Sequence, residues 1–348
     1  MSADIVAWLV QDGITNGAIY ALLALALLLV FAVTRVIFVP QGEYVTFAAL
    51  SLSLLEAGRM PGTVWILVFG GLAAAAVEAA AALRARAFAA LPRIGLLYLA
   101  LPAAVALLVG WAAPRQPAQW VQVLLVLAMV VPMGPILYRV AYQPLASASV
   151  LVLFIVSMAV HYVLVGLSLV FFGGEGLRAR PIAEAKFRLG VVEVTAQSLW
   201  VLAASVVLIF LLWLLFERSI YGKALRATAM NRVGARLVGI PTALTGYLSF
   251  TLASLIGAVS GILIAPITTL YYDTGFLIGL KGFVGAILGG MASYPLAAVG
   301  AVAVGLLEAF SSFWASTYKE TIVFAVLIPV LIWLSLRSRH VEEEEERE

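Results

Sequence analysis

The chain has 348 residues, of which 64% are hydrophobic and only 11% are charged, and its mean hydropathy is +1.09. Soluble domains carry about 25% charged residues, so this chain has too little polar surface for water, and we expect a polytopic membrane protein. The net charge of +3 is spread over short loops between apolar runs, which argues against nucleic-acid binding, and the absence of cysteine excludes disulfides and thiolate metal sites.

Ten apolar segments follow one another along the chain, and most are long enough for a helical span of about 20 residues. No Lys or Arg precedes the first segment, which predicts a retained span rather than a cleaved signal peptide. The predicted class is therefore an all-α membrane protein with about 9–11 spans. The segments are residues 14–34, 41–56, 62–83, 95–112, 119–138, 148–172, 195–216, 243–264, 282–311 and 321–336.

Two of these segments are irregular. The short segment 41–56 begins with Gln41 and Gly42 directly after a proline, which predicts a turn into a partial helix. The segment 282–311 is too long for one span, and "GGMASYPL" interrupts it with two glycines and a proline. It predicts two short helices or a re-entrant hairpin.

Two glycine pairs have the G-x-x-x-G spacing that lets helices approach closely in lipid: Gly257 with Gly261, and Gly285 with Gly289. We expect them to pack helices within the chain, and a subunit interface is the alternative.

The Lys and Arg residues predict the orientation. Placing the basic stretch 222–240 in the cytoplasm and alternating outward puts most of the 21 Lys and Arg residues inside. Lys281 falls outside in this scheme. The N-terminus is then outside and the C-terminus cytoplasmic, which requires an odd number of crossings: about eleven if the broken segment crosses twice and about nine if it is re-entrant. The glutamate-rich end, residues 337–348, is predicted to be a disordered tail.

The residue types that catalysis needs are scarce. No P-loop motif and no H-E-x-x-H motif occur, and the chain has only two histidines. His161 lies in the middle of a span and predicts a hydrogen bond between helices, with a position facing a transport lumen as the alternative. We therefore predict no enzymatic activity, no metal and no cofactor bound by this chain.

Three carboxylates lie in apolar segments and are functional candidates by default: Glu43, Glu78 and Glu308. Their sparse spacing predicts that they are unpaired. Glu78 lies six positions before Arg84, so its side chain is expected to reach the membrane surface. Glu43 and Glu308 lie beside breaks in apolar segments, where transporters place polar groups along a passage. For Glu308 a second expectation is that it fixes the broken segment by accepting backbone or hydroxyl hydrogen bonds. The alternative for both residues is that they lie at interfaces and their side chains reach the membrane surface.

The stretch "GKALRATAMNRVGARLVGI" (222–240) is amphipathic as a helix. Its apolar side holds Leu225, Ala229, Met230, Val233 and Leu237, and its small side holds Ala224, Ala227, Thr228, Asn231 and Ala235. Arg232 and Arg236 lie at the rim, and Gly234 makes two short helices as plausible as one. Gly239, followed by Ile-Pro, ends the helix. The small side predicts a docking surface for another protein, and a helix lying on the membrane is the alternative.

This stretch resembles the cytoplasmic coupling loop of ABC-importer permeases, specifically the branched-chain amino acid family of LivH type. Three further blocks resemble the first span, the broken glycine segment and the last span of that family: "NGAIYALLALALLLVFAVTRVI" (16–37), "GFVGAILGGMASYPLAAVGAVAVGLLEAF" (282–310) and "YKETIVFAVLIPVLIW" (318–333). The similarity covers most of the chain and is strongest over 13–50 and 215–335.

Two departures from the family pattern stand out. The family run Asn-Phe-Ala-His-Gly-Asp/Glu is replaced by "FVPQGE" (38–43), which keeps Gly42 and Glu43 but neither the Asn nor the His. The chain is also longer than is usual for the family. Because "ILYRVAYQPL" (136–145) resembles the end of the third span, we predict a two-span insertion within 62–112.

The resemblance implies one permease domain over residues 1–348 in the cytoplasmic (inner) membrane of a bacterium or archaeon. It also implies a second permease subunit, homologous or identical, two ATPase subunits that use ATP, and an extracytoplasmic solute-binding protein. The coupling loop, 217–241, would contact the ATPase through Ala224, Arg226, Ala227, Thr228, Asn231, Arg232, Ala235 and Gly239. The translocation path would include Gln41, Gly42, Glu43, Gly289, Gly290 and Glu308.

Other functions remain open at this point. An ion-gradient-driven secondary transporter or channel is the main alternative, and a structural membrane scaffold is a third. The substrate could be a branched-chain amino acid, another amino acid, or urea or an amide.

Overall fold

The structure is a computed structural model that describes residues 3–189, 192–290, 293–333 and 336. The predicted acidic tail, 337–348, lies outside the described residues. The described chain is almost entirely helical, with one pair of short strands between α8 and α9. The helices are α1 (Ala3–Thr34), α2 (Gln41–Glu56), α3 (Thr63–Arg84), α4 (Leu91–Gly95), α5 (Leu101–Ala112), α6 (Gln119–Val130), α7 (Met133–Leu137), α8 (Val150–Phe172), α9 (Ala196–Arg218), α10 (Ile220–Met230), α11 (Arg232–Leu237), α12 (Thr242–Ile264), α13 (Thr274–Leu288), α14 (Tyr294–Trp314) and α15 (Lys319–Ala325).

Nine helical stretches in the described part of the chain are long and apolar enough to cross a membrane. This confirms the all-α polytopic class. Two further helices, α2 with 16 residues and α13 with 15, are shorter. The nine stretches are Asp4–Thr34, Thr63–Arg84, Phe88–Arg115, Gln119–Leu145, Val150–Phe172, Ala196–Arg218, Thr242–Ile264, Tyr294–Trp314 and Ser316–Trp333.

The first helix forms the centre of the bundle. Its sequence is apolar on every side, as expected for a helix surrounded by others. Ile19, Leu22 and Val30 are completely buried, and α1 packs against α12, α13 and α14. The largest buried cluster of apolar side chains is built around it.

The broken segment consists of two antiparallel helices, α13 and α14, with the break after Leu288. Gly285 contacts Ala301 of α14 and Gly289 contacts Ala297, so that a Cβ on Gly289 would lie 2.3 Å from the Ala297 nitrogen. This agrees with the prediction of two helices, although α13 begins at Thr274, before the apolar segment that predicted it. With 21 residues, α14 is long enough to cross the membrane.

The other glycine pair also packs helices within the chain, as predicted. A Cβ on Gly257 would lie 2.7 Å from the Tyr44 Cβ, and one on Gly261 would lie 2.3 Å from the Val45 carbonyl oxygen. Both glycines therefore let α12 contact α2 closely. Because α2 is short, it depends on such contacts with its neighbours.

The two ends of the bundle are different. One end carries α10 and α11, and we call it the α10 end. The opposite end carries the antiparallel strands β1 (Lys186–Leu189) and β2 (Val192–Thr195), and we call it the β-hairpin end. A bridge between Leu177 and Leu270 joins two loops at this second end.

The predicted insertion, 62–112, corresponds to α3 and the helical stretch Phe88–Arg115. These helices contact each other, since a Cβ on Gly71 of α3 would lie 2.4 Å from the Tyr98 carbonyl oxygen. Both leave most of their apolar window uncovered by the rest of the chain. Such a peripheral position is compatible with an addition to a smaller bundle, and the insertion stays a prediction.

Candidate functional site

The break between α1 and α2 lies inside the bundle. Val33 near the end of α1 packs with Leu225 of α10, which places this end of α1 at the α10 end. The chain then turns back into the bundle without helical structure until Gln41, where α2 begins. The Gln41 Nε2 donates to the Ala253 carbonyl oxygen at 3.0 Å. Because Ala253 is in the middle of α12, α2 begins at about half the depth of the bundle. Residues 35–40 thus replace the first half of a span, which agrees with the predicted turn into a partial helix.

The first turns of α2 and α13 meet at this depth. A Cβ on Gly42 would lie 1.9 Å from the Gly275 carbonyl oxygen, so the two backbones touch and only glycine fits. The Gly275 N–H donates to the Thr46 hydroxyl at 2.9 Å. The structure therefore has two helices that begin within the bundle and share one junction, which we call the α2–α13 junction.

A carboxylate and an imidazole pair at the junction. Glu43 is completely buried, and its Oε1 lies 2.9 Å from the Nδ1 of His161 on α8. The ring of His161 in turn lies against the ring of Phe276 on α13, with 4.4 Å between centroids. This is the helix-to-helix hydrogen bond predicted for His161. The second oxygen of Glu43, Oε2, has no partner in the structure.

The prediction that the intramembrane carboxylates are unpaired is wrong. Glu43 bonds to His161, Glu78 forms an ion pair with Arg139 at 2.5 Å, and Glu308 forms one with Lys281 at 2.6 Å. Burying an isolated charge is costly, so each carboxylate has a partner. The partner of Glu43 lies 118 residues away in sequence, which is why spacing along the chain did not indicate it.

An apolar cavity of about 270 Å³ lies beside the junction. Phe154 and Met158 on α8 lie on the same helical face as His161, and Phe276 forms part of the cavity wall while contacting His161. The buried Glu43–His161 pair is therefore separated from the cavity by one aromatic ring. The other walls include Leu27 of α1 and Phe38 and Val39 of the non-helical segment.

Glu308 belongs to a second polar cluster. Its Oε2 accepts a hydrogen bond from the Tyr20 hydroxyl at 2.5 Å, and its Oε1 accepts one from the Lys281 Nζ. Lys281 also donates to Glu320 of α15 at 3.0 Å. Lys281 is thus buried in α13, and its assignment to an outside loop is wrong: its ammonium is held by two carboxylates instead of water. Sequence reasoning missed this lysine and Glu320, although a lysine within an apolar helix was a usable signal.

The six residues predicted for the translocation path do not form one cluster. Gln41, Gly42 and Glu43 lie at the junction, whereas Gly289 and Gly290 lie beyond the other end of α13. The rise of an α-helix places Gly289 about 20 Å from Gly275. Gly289 packs against α14, and Gly290 is exposed with φ 71°. The junction is therefore the part of the predicted path with polar groups beside a cavity.

The coupling loop contains two helices, α10 and α11, but the break is at Asn231 rather than Gly234. The Asn231 Oδ1 accepts a hydrogen bond from the Gly234 N–H at 2.8 Å, the usual capping arrangement at a helix start.

The predicted docking face of this loop is partly covered by the chain itself, and docking on it stays a prediction. Thr228 and Ala235 on the small side are buried against the bundle, and so is Leu225 on the apolar side. The remaining large residues of the apolar side are exposed: Met230 is 86% exposed, Val233 68% and Leu237 83%. We call these three residues the exposed apolar face.

Most of the other predicted coupling residues contact their own chain. Arg226 pairs with Glu217 at 2.6 Å, and Arg232 donates to the Ala146 carbonyl oxygen at 2.9 Å. Ala224 and Ala227 are half-buried, whereas Asn231 and Gly239 are exposed. Arg236, which was expected at the rim, donates to the Thr242 hydroxyl.

A bundle of helices long enough to span a membrane, with a broken span beside an apolar cavity, agrees with a transport permease. A profile of the family described as "Branched-chain amino acid transport system / permease component" matches residues 9–331. The chain belongs to this family.

Individual relatives agree with the family match. The high-affinity branched-chain amino acid transport system permease protein LivH of Escherichia coli (strain K12) is 26% identical over 337 residues, which cover 92% of this chain and 91% of that protein. LivH of Salmonella typhimurium has the same identity and coverage. The permease protein BraD of Pseudomonas aeruginosa is 27% identical over 202 residues, which cover 56% of this chain and 66% of that protein.

Proposed function

We propose that the chain is the permease subunit of an ABC importer for branched-chain or related amino acids in the inner membrane. It works with a second permease subunit, two ATPase subunits and an extracytoplasmic binding protein, as the family membership implies. The single observation that carries the substrate class is the apolar cavity beside the Glu43–His161 pair. A branched-chain amino acid combines an aliphatic side chain with an ammonium and a carboxylate group, and this site offers apolar walls with a carboxylate and an imidazole nearby.

The orientation is part of the proposal. We count each of the nine long helices, and also α2 and α13, as one crossing, which gives eleven in the described part of the chain. An odd number agrees with an N-terminus outside and a cytoplasmic C-terminus. The α10 end then faces the cytoplasm, where the exposed apolar face of α10 and α11 is available to an ATPase.

Uptake should depend on ATP and on the binding protein. In vesicles that carry the full complex, we expect accumulation of radiolabelled leucine only with ATP on the cytoplasmic side and binding protein on the other side. The ion-gradient alternative has one supporting observation, the buried titratable pair of Glu43 and His161. Accumulation by the purified chain alone, driven by a proton or sodium gradient, would favour that alternative and contradict the importer.

Replacing Glu43 should affect transport more than assembly. We expect Glu43→Leu to lower leucine uptake about tenfold or more, because His161 loses a hydrogen bond to a carboxylate and the site loses its polar group. Glu43→Gln keeps a hydrogen-bond partner for His161 and should be less impaired. Membrane insertion and co-purification with the ATPase serve as controls, together with Glu175→Gln in an exposed loop. Parental uptake by Glu43→Leu would exclude a role for this residue in the path.

A further inference from the structure

A second cavity, of about 710 Å³, lies at the α10 end between the peripheral helices and α12. One wall is formed by the end of α3, where Ala81 and Ala82 have small side chains, and by Ala85 directly after it. The opposite wall is formed by Leu97 and Leu101, and Leu244 of α12 completes it. These three leucines are more than 40% exposed in the chain, so the cavity opens sideways toward the surface that faces hydrocarbon.

The cavity also has a polar region. Glu78, Arg93, Tyr98 and Tyr247 contribute to its lining. Arg139 pairs with Glu78, and the two tyrosine hydroxyls lie 3.3 Å apart. Arg93 makes no ion pair within the described residues, so its positive charge is available to a ligand.

The chain around the opening is strongly basic. Ala85 and Ala87 line the cavity, Arg84 ends α3, and Arg86 lies between the two alanines in the turn that follows. Both arginines are exposed, as is Arg93. Within the described residues none of these three arginines forms an ion pair, and Glu78, the acid that lines the cavity, is paired with Arg139. We call Arg84, Arg86 and Arg93 the arginine turn.

We propose that this cavity binds an anionic glycerophospholipid, with its phosphate at the arginine turn and an acyl chain along Leu97, Leu101 and Leu244. The combination of an apolar lateral opening with an unneutralised basic rim matches a molecule that has a hydrocarbon chain and a negative headgroup. A soluble anion would use the arginines but not the apolar walls. The lipid fills the space between the peripheral helices and α12, which the chain's own side chains leave open.

The test is thermal unfolding of the full-length protein in detergent with added phosphatidylglycerol or phosphatidylcholine. We expect phosphatidylglycerol to raise the Tm by a few degrees and to remain bound in native mass spectrometry, whereas phosphatidylcholine does neither. The combined variant Arg84→Gln, Arg86→Gln and Arg93→Gln should lose this shift. The matched control, Arg59→Gln with Arg115→Gln, changes exposed arginines at the opposite end and should keep it.

Two further measurements separate the possible sources of binding. Soluble glycerol phosphate should give no shift, and a shift equal to that of the lipid would overturn the proposal in favour of a free phosphate site. Ala85→Phe fills the cavity and leaves the arginines in place, so it should abolish lipid retention in native mass spectrometry. Equal stabilisation by both lipids, or an undiminished shift in the triple arginine variant, would also overturn the proposal.

Discussion

The double variant Met230→Asp with Leu237→Asp should eliminate binding-protein-dependent uptake while leaving membrane insertion intact. Both side chains are more than 80% exposed at the α10 end, so charged replacements disturb no internal packing. If this face docks into an ATPase subunit, each residue is an apolar anchor whose loss costs about 2 kcal/mol or more of binding. The combined loss of about 4 kcal/mol corresponds to about a thousandfold weaker docking, which should eliminate ATPase co-purification and uptake.

Two comparisons sharpen this test. Lys223→Ala changes an exposed residue of the same helix outside the exposed apolar face and should have a small effect. Ala227→Trp changes the half-buried small side, so we expect it to lower stability through overpacking rather than to weaken docking alone. Normal uptake and normal co-purification in the double Asp variant would show that the ATPase docks elsewhere.

Lys281→Met should destabilise the protein more than other single changes of a charged residue. The lysine is buried and donates to both Glu308 and Glu320, so its removal leaves Glu308 buried without its cation. Breaking a buried ion pair by removing one partner typically costs about 3–5 kcal/mol. We expect a markedly lower Tm and a lower yield of folded protein from membranes.

The neighbouring lysine provides the control. Lys319 lies 4.0 Å from Glu320 and its side chain is 41% exposed, so Lys319→Met should leave the Tm nearly unchanged. Adding Glu308→Leu to Lys281→Met removes the uncompensated carboxylate and should recover part of the lost stability. An unchanged Tm for Lys281→Met would mean that the cluster of Tyr20, Lys281, Glu308 and Glu320 does not stabilise the fold.

Glu308 and Glu43 were both predicted to lie along the translocation path, but the structure gives them different surroundings. Glu308 accepts hydrogen bonds from a hydroxyl and an ammonium and joins α14 to α1 and α13, and the same lysine, Lys281, also reaches Glu320 of α15. Glu43 has one partner and one free oxygen, and it lies where two helices begin. The first arrangement ties neighbouring helices together, whereas the second pairs a buried carboxylate with His161 beside the apolar cavity.

The sequence by itself determined the class of protein, the positions of most spans and the two breaks. Hydropathy is a local property, because about 20 consecutive apolar residues identify a span wherever it lies in the bundle. The breaks at Gln41 and at Gly289–Gly290 were visible because glycine and proline act on the backbone locally. The coupling loop was also visible as a basic, amphipathic stretch, and its resemblance to a known family gave the function.

Tertiary structure alone decided which side chains meet. Glu43 finds His161 and Lys281 finds Glu308 through contacts between helices that are distant in sequence. It also decided which residues of the predicted coupling helices are exposed, since a helical wheel separates two faces but does not tell which residues the bundle covers. Thr228 and Ala235 of the small side and Leu225 of the apolar side are buried, whereas Met230, Val233 and Leu237 are left at the surface.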